Sequence, residues 1–293
     1  MEGKYPLDNA TRVNDCQINY TVDSYNNGIA FGQHRLDPEM DARDYYSLRV
    51  SEGSDLVRLR SRYALYKDTP FQKLERYLIR LSQMGILRQA SIYFGVTTDP
   101  FLPFEGKFDA SMKFLELFQR YTPGMLTIQT RSPLVVIALP VLKRLGKHVS
   151  VTFGVETPLE EANRRYTPGL PRVEERLKTV TALRRFGIDL TLQVSPVLPY
   201  GDWKLDAGNF AKLLVEHADH IFVRSITDGT ERSERQVKST PMAQKLAVDR
   251  QFFYLRPDSA EPLVKAIEKL APEKLLAPER PHLREKQIKM FAA

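Results

Sequence analysis

The chain has 293 residues, of which 42% are hydrophobic and 27% are charged, a composition that fits one or two globular domains and excludes a disordered or collagen-like chain. Its 43 Lys and Arg outnumber its 36 Asp and Glu, and the formal charge of +7 is compatible with a nucleic-acid partner or simply with a solvated basic surface. No run approaches the roughly 18 apolar residues of a membrane span, and residues 1–16 lack an apolar signal core, so we expect a cytoplasmic protein without membrane contact.

The first 50 residues lack regular periodicity. Residues 14–28, rich in Asn, Asp and Gly, predict a loop, and residues 45–50 (YYSLRV) predict a first strand. Cys16 is the single cysteine of the chain, which excludes an internal disulfide and a zinc site built from several thiolates. Residues 56–67 have a basic, helical pattern that is typical of a solvated helix face.

From about residue 86, short β-rich segments alternate with amphipathic helical segments, which indicates parallel βα units. The pattern predicts strands at 89–96, 125–130, 148–155, 188–197 and 220–226, with helices at 111–121, 133–145 and 172–187 between them. Right-handed crossovers between parallel strands then predict a barrel or partial barrel whose active site lies at the carboxyl ends of the strands.

The segments that follow these strands are rich in small polar residues: 97–100, 130–132, 156–158 and 195–202. Two interpretations stay open for each segment, because such residues are common helix N-caps as well as ligand contacts. Beyond residue 230 the alternation stops. Residues 227–240 predict an exposed polar segment, 241–255 and 260–270 predict helices, and 278–293 form a basic tail, so we divide the chain into a barrel (1–230) and a helical extension (231–293).

Four motifs occur in register at these strand ends. They are Thr98-Asp99-Pro100-Phe101 with Pro103 and Glu105, Thr130-Arg131-Ser132, the loop Pro168-Gly169 with Pro171 before Arg176 and Leu177, and residues 193–202 (QVSPVLPYGD). Over about half the chain they resemble the radical S-adenosylmethionine superfamily, and within it the spore photoproduct lyase-like group. The resemblance implies an α/β fold of the partial (β/α)6 TIM-like barrel type, with a pocket for S-adenosylmethionine at the strand ends.

The resemblance also implies which residues line that pocket. It implies ligand contacts from Thr98, Asp99, Arg131, Ser132, Gln193 and Ser195, with Glu105 and Arg176 as polar supports. Arg131 stands where the group often has a lysine, and an arginine can pair a carboxylate bidentately. Gly154 stands where relatives tend to have a serine, so one hydroxyl contact is missing.

The same resemblance implies a [4Fe-4S] cluster held by a Cys-x3-Cys-x2-Cys motif near the N-terminus. The matching positions here are Cys16, Tyr20 and Asp23, so two of the three thiolates are absent. Phenolate and carboxylate are hard oxygen donors, poorly suited to a low-potential iron-sulfur cluster. The sequence therefore predicts a fold that has lost its radical chemistry, with Cys16 as the one remaining candidate metal ligand.

Simpler interpretations apply to other residues. An isolated Cys16 is most simply a small apolar residue, and Trp203 is most simply a packing residue rather than a base-stacking one. His217 and His220 are better explained by the end of a predicted helix, where a cation is favourable, than by metal binding.

Three functions remain open. The first, which we favour, is a pseudoenzyme that binds an adenosyl-type small molecule or a partner protein through the inherited pocket. The second is an active lyase acting on nucleic acid with an atypical cluster. The third is a nucleic-acid-binding scaffold, whose affinity would fall steeply with salt.

Overall fold

A parallel β-sheet organises the part of the chain that the computed structural model describes, which is residues 18–22, 69–85, 87–95, 99–101, 109–238 and 240–276. The strands are β1 (Ile18–Val22), β2 (Ala90–Phe94), β3 (Met125–Thr130), β4 (Val149–Gly154), β5 (Asp189–Val194) and β6 (His220–Val223). They lie side by side in chain order, and every neighbouring pair is parallel. The protein is therefore a mixed α/β protein whose sheet is wound in one direction, as in a partial TIM-like barrel; among the described residues, β1 and β6 do not pair with each other.

Helices connect the strands. Those described are α1 (Thr69–Gln83), α2 (Asp109–Arg120), α3 (Leu139–Leu145), α4 (Glu160–Tyr166), α5 (Val173–Arg185), α6 (Ala207–His217), α7 (Glu231–Lys238), α8 (Pro241–Val248) and α9 (Glu261–Leu270). None of them is long and apolar enough to cross a membrane. Because consecutive parallel strands with right-handed crossovers put their helices on one side, one face of the sheet packs on helices.

That helix-covered face carries the hydrophobic core. Ile92, Ile128, Val151 and Leu192 lie on it and are completely buried. Phe94 of β2 packs against two rings of α2, with centroid distances of 6.0 Å to Phe114 and 6.1 Å to Phe118. The alternation of apolar and polar residues along the strands therefore selects which face meets the helices.

Several sequence predictions differ from the structure. The loop predicted for 14–28 is wrong at Ile18–Val22, where β1 pairs with β2. The exposed segment predicted for 227–240 contains helix α7. The helix predicted for 133–145 is a 3-10 segment (Pro133–Ala138) followed by α3, because Pro140 follows directly on the junction. The predicted strand at 45–50, the helical pattern at 56–67 and the tail at 278–293 lie outside the described residues.

The last described segment packs against the edge strand β6 of the sheet. Leu275 bridges to Ile221 of β6, and the amide of Leu276 donates to the Ile221 carbonyl at 2.8 Å, which covers part of the β6 edge. Near the carboxyl end of β5, the ring of Trp203 stacks on that of Phe253 at 4.1 Å between centroids and 7° between planes. These contacts join the region after residue 240 to the sheet and to the loop that follows β5.

Candidate functional site

A buried carboxylate joins the carboxyl ends of β2 and β3. Asp99 is 1% exposed, and its Oδ1 accepts hydrogen bonds from the Thr130 hydroxyl at 2.7 Å and the Phe101 amide at 2.9 Å. Its Oδ2 accepts from the Arg131 amide at 2.7 Å. Because all three donors are fixed by the backbone or by the core, Asp99 holds the two strand ends in one geometry.

A second buried carboxylate, Glu156, lies between two arginines at the end of β4. Arg131 Nε donates to Glu156 Oε1, and Arg176 Nη1 donates to Glu156 Oε2 at 2.8 Å. The guanidinium of Arg176 also donates to the Gly154 carbonyl and to Asn163 Oδ1, both at 2.9 Å. The three charged side chains are almost completely buried, so this network is a rigid part of the rim.

The two arginines keep Glu156 ionised. Burial alone would raise the pKa of this carboxyl, but the positive charges of Arg131 and Arg176 and their hydrogen bonds outweigh burial and lower the pKa to about 2. Among the described residues, Arg131 and Arg176 thus share Glu156 as a buried carboxylate partner.

Gly154 leaves the space that Arg131 needs. A Cβ at position 154 would lie 2.6 Å from Nε and 2.7 Å from Cγ of Arg131, closer than van der Waals contact allows. Arg131 thus lies directly across the end of β4 on its way to Glu156. The resemblance leads one to expect a serine at position 154, where this chain has glycine. A serine side chain would occupy the space that the Arg131 side chain fills, so the glycine at 154 permits the arginine at 131.

Ser195 supplies an unsatisfied polar atom at this rim. Its carbonyl accepts a hydrogen bond from Arg131 Nη2 at 3.3 Å. Its hydroxyl is buried and has no hydrogen-bond partner among the described residues, although the residue is only 1% exposed. A buried hydroxyl without a partner is unfavourable by about 1–3 kcal/mol, and the buried Nε of Arg176 in the neighbouring network likewise has no partner among the described residues.

The remaining predicted site residues take different roles. Ser132 accepts a hydrogen bond from the Leu134 amide at 3.3 Å and caps the following 3-10 segment, as the N-cap interpretation predicts. Gln193 lies half-buried on β5, in register with Gly154, and Arg176 bonds other protein groups. Thr98, Glu105, Cys16 and Asp23 lie outside the described residues.

A [4Fe-4S] cluster does not fit the residues at the corresponding positions. Tyr20 lies in the middle of β1, in register with Ile92, and its backbone belongs to the sheet ladder. Three ligands spaced by four and three positions must curl around one cluster, whereas a strand advances about 3.3 Å per residue. The chain has one cysteine, and the described residues contain no group of three or more His, Cys, Asp and Glu side chains that could hold a metal ion.

The two histidines considered as metal ligands lie on different elements, His217 on α6 and His220 on β6. His217 lies in the last turn of α6, where its Nδ1 is 2.9 Å from the Leu213 carbonyl. His220 begins β6 and is buried, with Nε2 3.7 Å from Asp189 Oδ1. His217 therefore matches the helix-end interpretation, while His220 belongs to the sheet.

Sequence reasoning did not select Glu156 or Asn163 for the site. Glu156 was noted only as one of several polar residues after a strand, and nothing local shows that it meets Arg131 and Arg176, which are 25 and 20 positions away. The charge of Glu156 was the signal in the sequence that could have identified it. A carboxylate that follows a buried strand is expected to need a cationic partner.

No family model matches this sequence. Uncharacterised proteins of Mycobacterium tuberculosis (strain H37Rv) and Mycobacterium bovis are each 30% identical to it over 115 residues, which cover 38% of this chain and 33% of each relative. The chain thus matches about a third of the length of these relatives. Among solved structures, a cysteine-to-serine mutant of spore photoproduct lyase has a TM-score of 0.48 at 14% identity, over 71% of this chain and 65% of that chain.

Proposed function

We propose that this protein binds an adenosyl-type ligand, such as S-adenosylmethionine, at the carboxyl rim of its sheet and does not carry out the cluster-dependent radical reaction. It is, in this proposal, a ligand-binding pseudoenzyme of the radical S-adenosylmethionine superfamily. The superfamily placement rests on the four sequence motifs.

The observation that carries the ligand site is the buried hydroxyl of Ser195, which has no hydrogen-bond partner among the described residues and lies beside the ion-pair network of Arg131, Arg176 and Glu156. Arg131 and Arg176 both bond Glu156, so these side chains hold the shape of the rim. A rim whose side chains are fixed before the ligand arrives loses little conformational entropy on binding. The Ser195 hydroxyl is then available to donate to, or accept from, the ligand.

The absence of radical chemistry is supported by the donor set. Two of the three positions that match the cluster motif hold Tyr20 and Asp23, and no second cysteine exists to replace either. The chain can therefore keep the scaffold of a ligand pocket without the means to reduce and cleave the ligand.

The first test combines two measurements on one sample. After strictly anaerobic reconstitution we expect no stoichiometric iron and acid-labile sulfide, while S-adenosylmethionine binds in calorimetry. Ser195→Ala should weaken this binding about fivefold, since it removes one hydrogen bond worth about 1 kcal/mol.

Ser259→Ala is the matched control. Ser259 is also completely buried with an unpartnered hydroxyl, but it precedes α9 rather than following β5. Its substitution should leave ligand affinity unchanged. Stoichiometric iron and sulfide would overturn the pseudoenzyme; lack of binding by the wild type, or equal effects of both serine variants, would overturn the rim site.

A further inference from the structure

Helix α5 turns one face towards the sheet and carries a groove of about 500 Å³ on its outer face. The residues that line this groove recur at helical spacing, and we call them the outer groove: Lys178, Thr181, Ala182, Arg185 and Phe186. On the inner face, Val180 and Leu183 are completely buried. Because α5 ends at Arg185 and β5 begins at Asp189, the outer groove lies towards the amino-terminal edge of the sheet, at the opposite end from the rim.

Apolar side chains remain exposed beside the outer groove. The ring of Phe186, at the C-cap of α5, is 49% exposed. The 3-10 segment Pro133–Ala138 packs on α5 and leaves the side chains of Val136 and Ile137 exposed. Exposed apolar side chains on two elements that pack together are typical of a surface that binds a partner.

The chain around the outer groove carries positive charge only. Residues 133–148 and 176–188 contain no Asp or Glu. Their exposed cations are Lys143, Arg144, Lys147, Lys178 and Arg185. Lys143 Nζ lies 5.0 Å from the centroid of the Phe186 ring, so positive charge directly borders the exposed ring. The partner that complements this surface is therefore acidic.

The cations at the outer groove are available to such a partner. Arg185 and Lys143 form no ion pair within the part of the chain that the structure describes. Lys178 pairs with Glu174 at 2.6 Å, but both side chains are mostly exposed, and an exposed ion pair contributes little stability. A cation is favourable in the last turn of any helix, which accounts for Arg185 but not for the exposed ring beside it.

The shape of the outer groove favours a polypeptide over a small molecule. All of its lining residues belong to α5 and its C-cap, so no second element of the described chain closes it. Small-molecule sites enclose most of the ligand surface, which a one-sided groove does not do. A helix that lies in such a groove buries its apolar side chains there and places its charged ones over the flanking cations.

We propose that the outer groove binds an acidic amphipathic helix of a partner protein. The apolar stripe of that helix contacts Phe186 and the exposed Ile137, and its carboxylates pair with Arg185 and Lys178. A nucleic acid would also satisfy the cations, but it offers no apolar stripe to cover the aliphatic side chains. This proposal goes beyond the rim ligand and does not depend on it.

Fluorescence anisotropy tests the outer groove with three fluorescein-labelled synthetic peptides of about 18 residues. The first is an acidic amphipathic helix, with leucine at every third and fourth position and glutamate on the other faces. The second has the same composition in scrambled order, and the third has lysine in place of glutamate. The acidic helix should bind the full-length protein with a Kd below about 100 μM, and the other two at least about tenfold more weakly.

Two variants locate the binding. Arg185→Glu should weaken binding of the acidic helix about tenfold, because it replaces attraction by repulsion, and Phe186→Ala should weaken it about fivefold. The matched controls are Lys269→Glu on α9 and Phe252→Ala in the 3-10 segment after α8, since each changes an exposed side chain of the same kind elsewhere. Both controls should leave the affinity unchanged.

Four results would overturn the proposal. They are no binding of the acidic helix, equal binding of the scrambled peptide, equal losses in the control variants, and tighter binding of a labelled oligothymidylate of about 20 nucleotides that Arg185→Glu abolishes. The last result would make the surface a nucleic-acid site. If S-adenosylmethionine fails to bind, only the rim proposal falls, because the outer groove is judged on the peptides alone.

Discussion

The position of the Arg131 side chain requires a residue without a Cβ at position 154. Any side chain at 154 collides with the Arg131 guanidinium, so Gly154→Ala should lower the free energy of unfolding by about 1–3 kcal/mol in urea titrations, as overpacking of a buried site does. Gly208→Ala is the control, since a Cβ there meets nothing within 4 Å inside helix α6 and an alanine favours the helix.

The same pair can be tested for coupling. Gly154→Ser should be less harmful in an Arg131→Lys background than alone, because a lysine has no guanidinium plane over position 154. A double-mutant cycle with zero interaction energy would contradict this dependence.

Glu156 makes part of the stability sensitive to acid. Its pKa is lowered from 4.5 to about 2 in the folded protein, so its contribution is complete above about pH 4.5 and is lost as the pH falls towards 2. A shift of this size corresponds to about 3 kcal/mol. Unfolding free energies measured between pH 5 and pH 2 should show this loss, and Glu156→Gln should lack it.

The Gln variant will itself be less stable at neutral pH, because both arginines lose a charged partner. A carboxyl-detected NMR titration of the wild-type protein gives an independent reading of the Glu156 side chain. An ordinary pKa near 4.5 there would contradict the buried ion-pair geometry.

The strands were more predictable than the elements at either end of the chain. β3 was predicted at its exact bounds and β2, β4, β5 and β6 within a few residues, because their helix-facing positions are apolar and buried. β1 was missed because its sequence, INYTV, lies among Asn and Asp residues that favour turns. Helix α7 was missed because ERSERQVK has a single apolar residue, Val237.

Among the site residues, those that adjoin the strands were likewise the more predictable ones. Asp99, Arg131 and Ser132 occur next to strands and could be selected from local sequence. The contact of Arg176 with Glu156 could not, since it joins α5 to the end of β4 and depends on how the helix packs. The alternation of apolar and polar residues along β4 and β5 is visible in the sequence, but only the register shows which residues of neighbouring strands lie side by side.

Helix α9 shares the hydrophobic core of the sheet. Leu263 is completely buried in the same hydrophobic core as Leu192 and Leu214. Leu263→Ala should therefore destabilise the whole protein by about 2–5 kcal/mol and lower the temperature of one calorimetric transition. Leu270→Ala, on the same helix but 45% exposed, should change stability by less than about 0.5 kcal/mol. A separate transition for the region after 240 would contradict this shared core.

At the scale of the molecule, the two faces of the sheet differ in the chemistry of their residues. The apolar face packs on the helices and carries the hydrophobic core, and the opposite face carries mostly polar residues such as Gln129, Thr152 and Thr191.

The stack of Trp203 on Phe253 gives the protein an optical reporter of its own. Trp203 is the only tryptophan in the chain, so indole fluorescence comes from one place, where the loop after β5 meets the segment following α8. Lys204 and Arg256 each place a cation over one ring of this pair, at 5.0 Å and 5.8 Å from the ring centroids. The wavelength of maximum emission and quenching by acrylamide therefore record, without any label, whether these two segments stay together while S-adenosylmethionine is titrated.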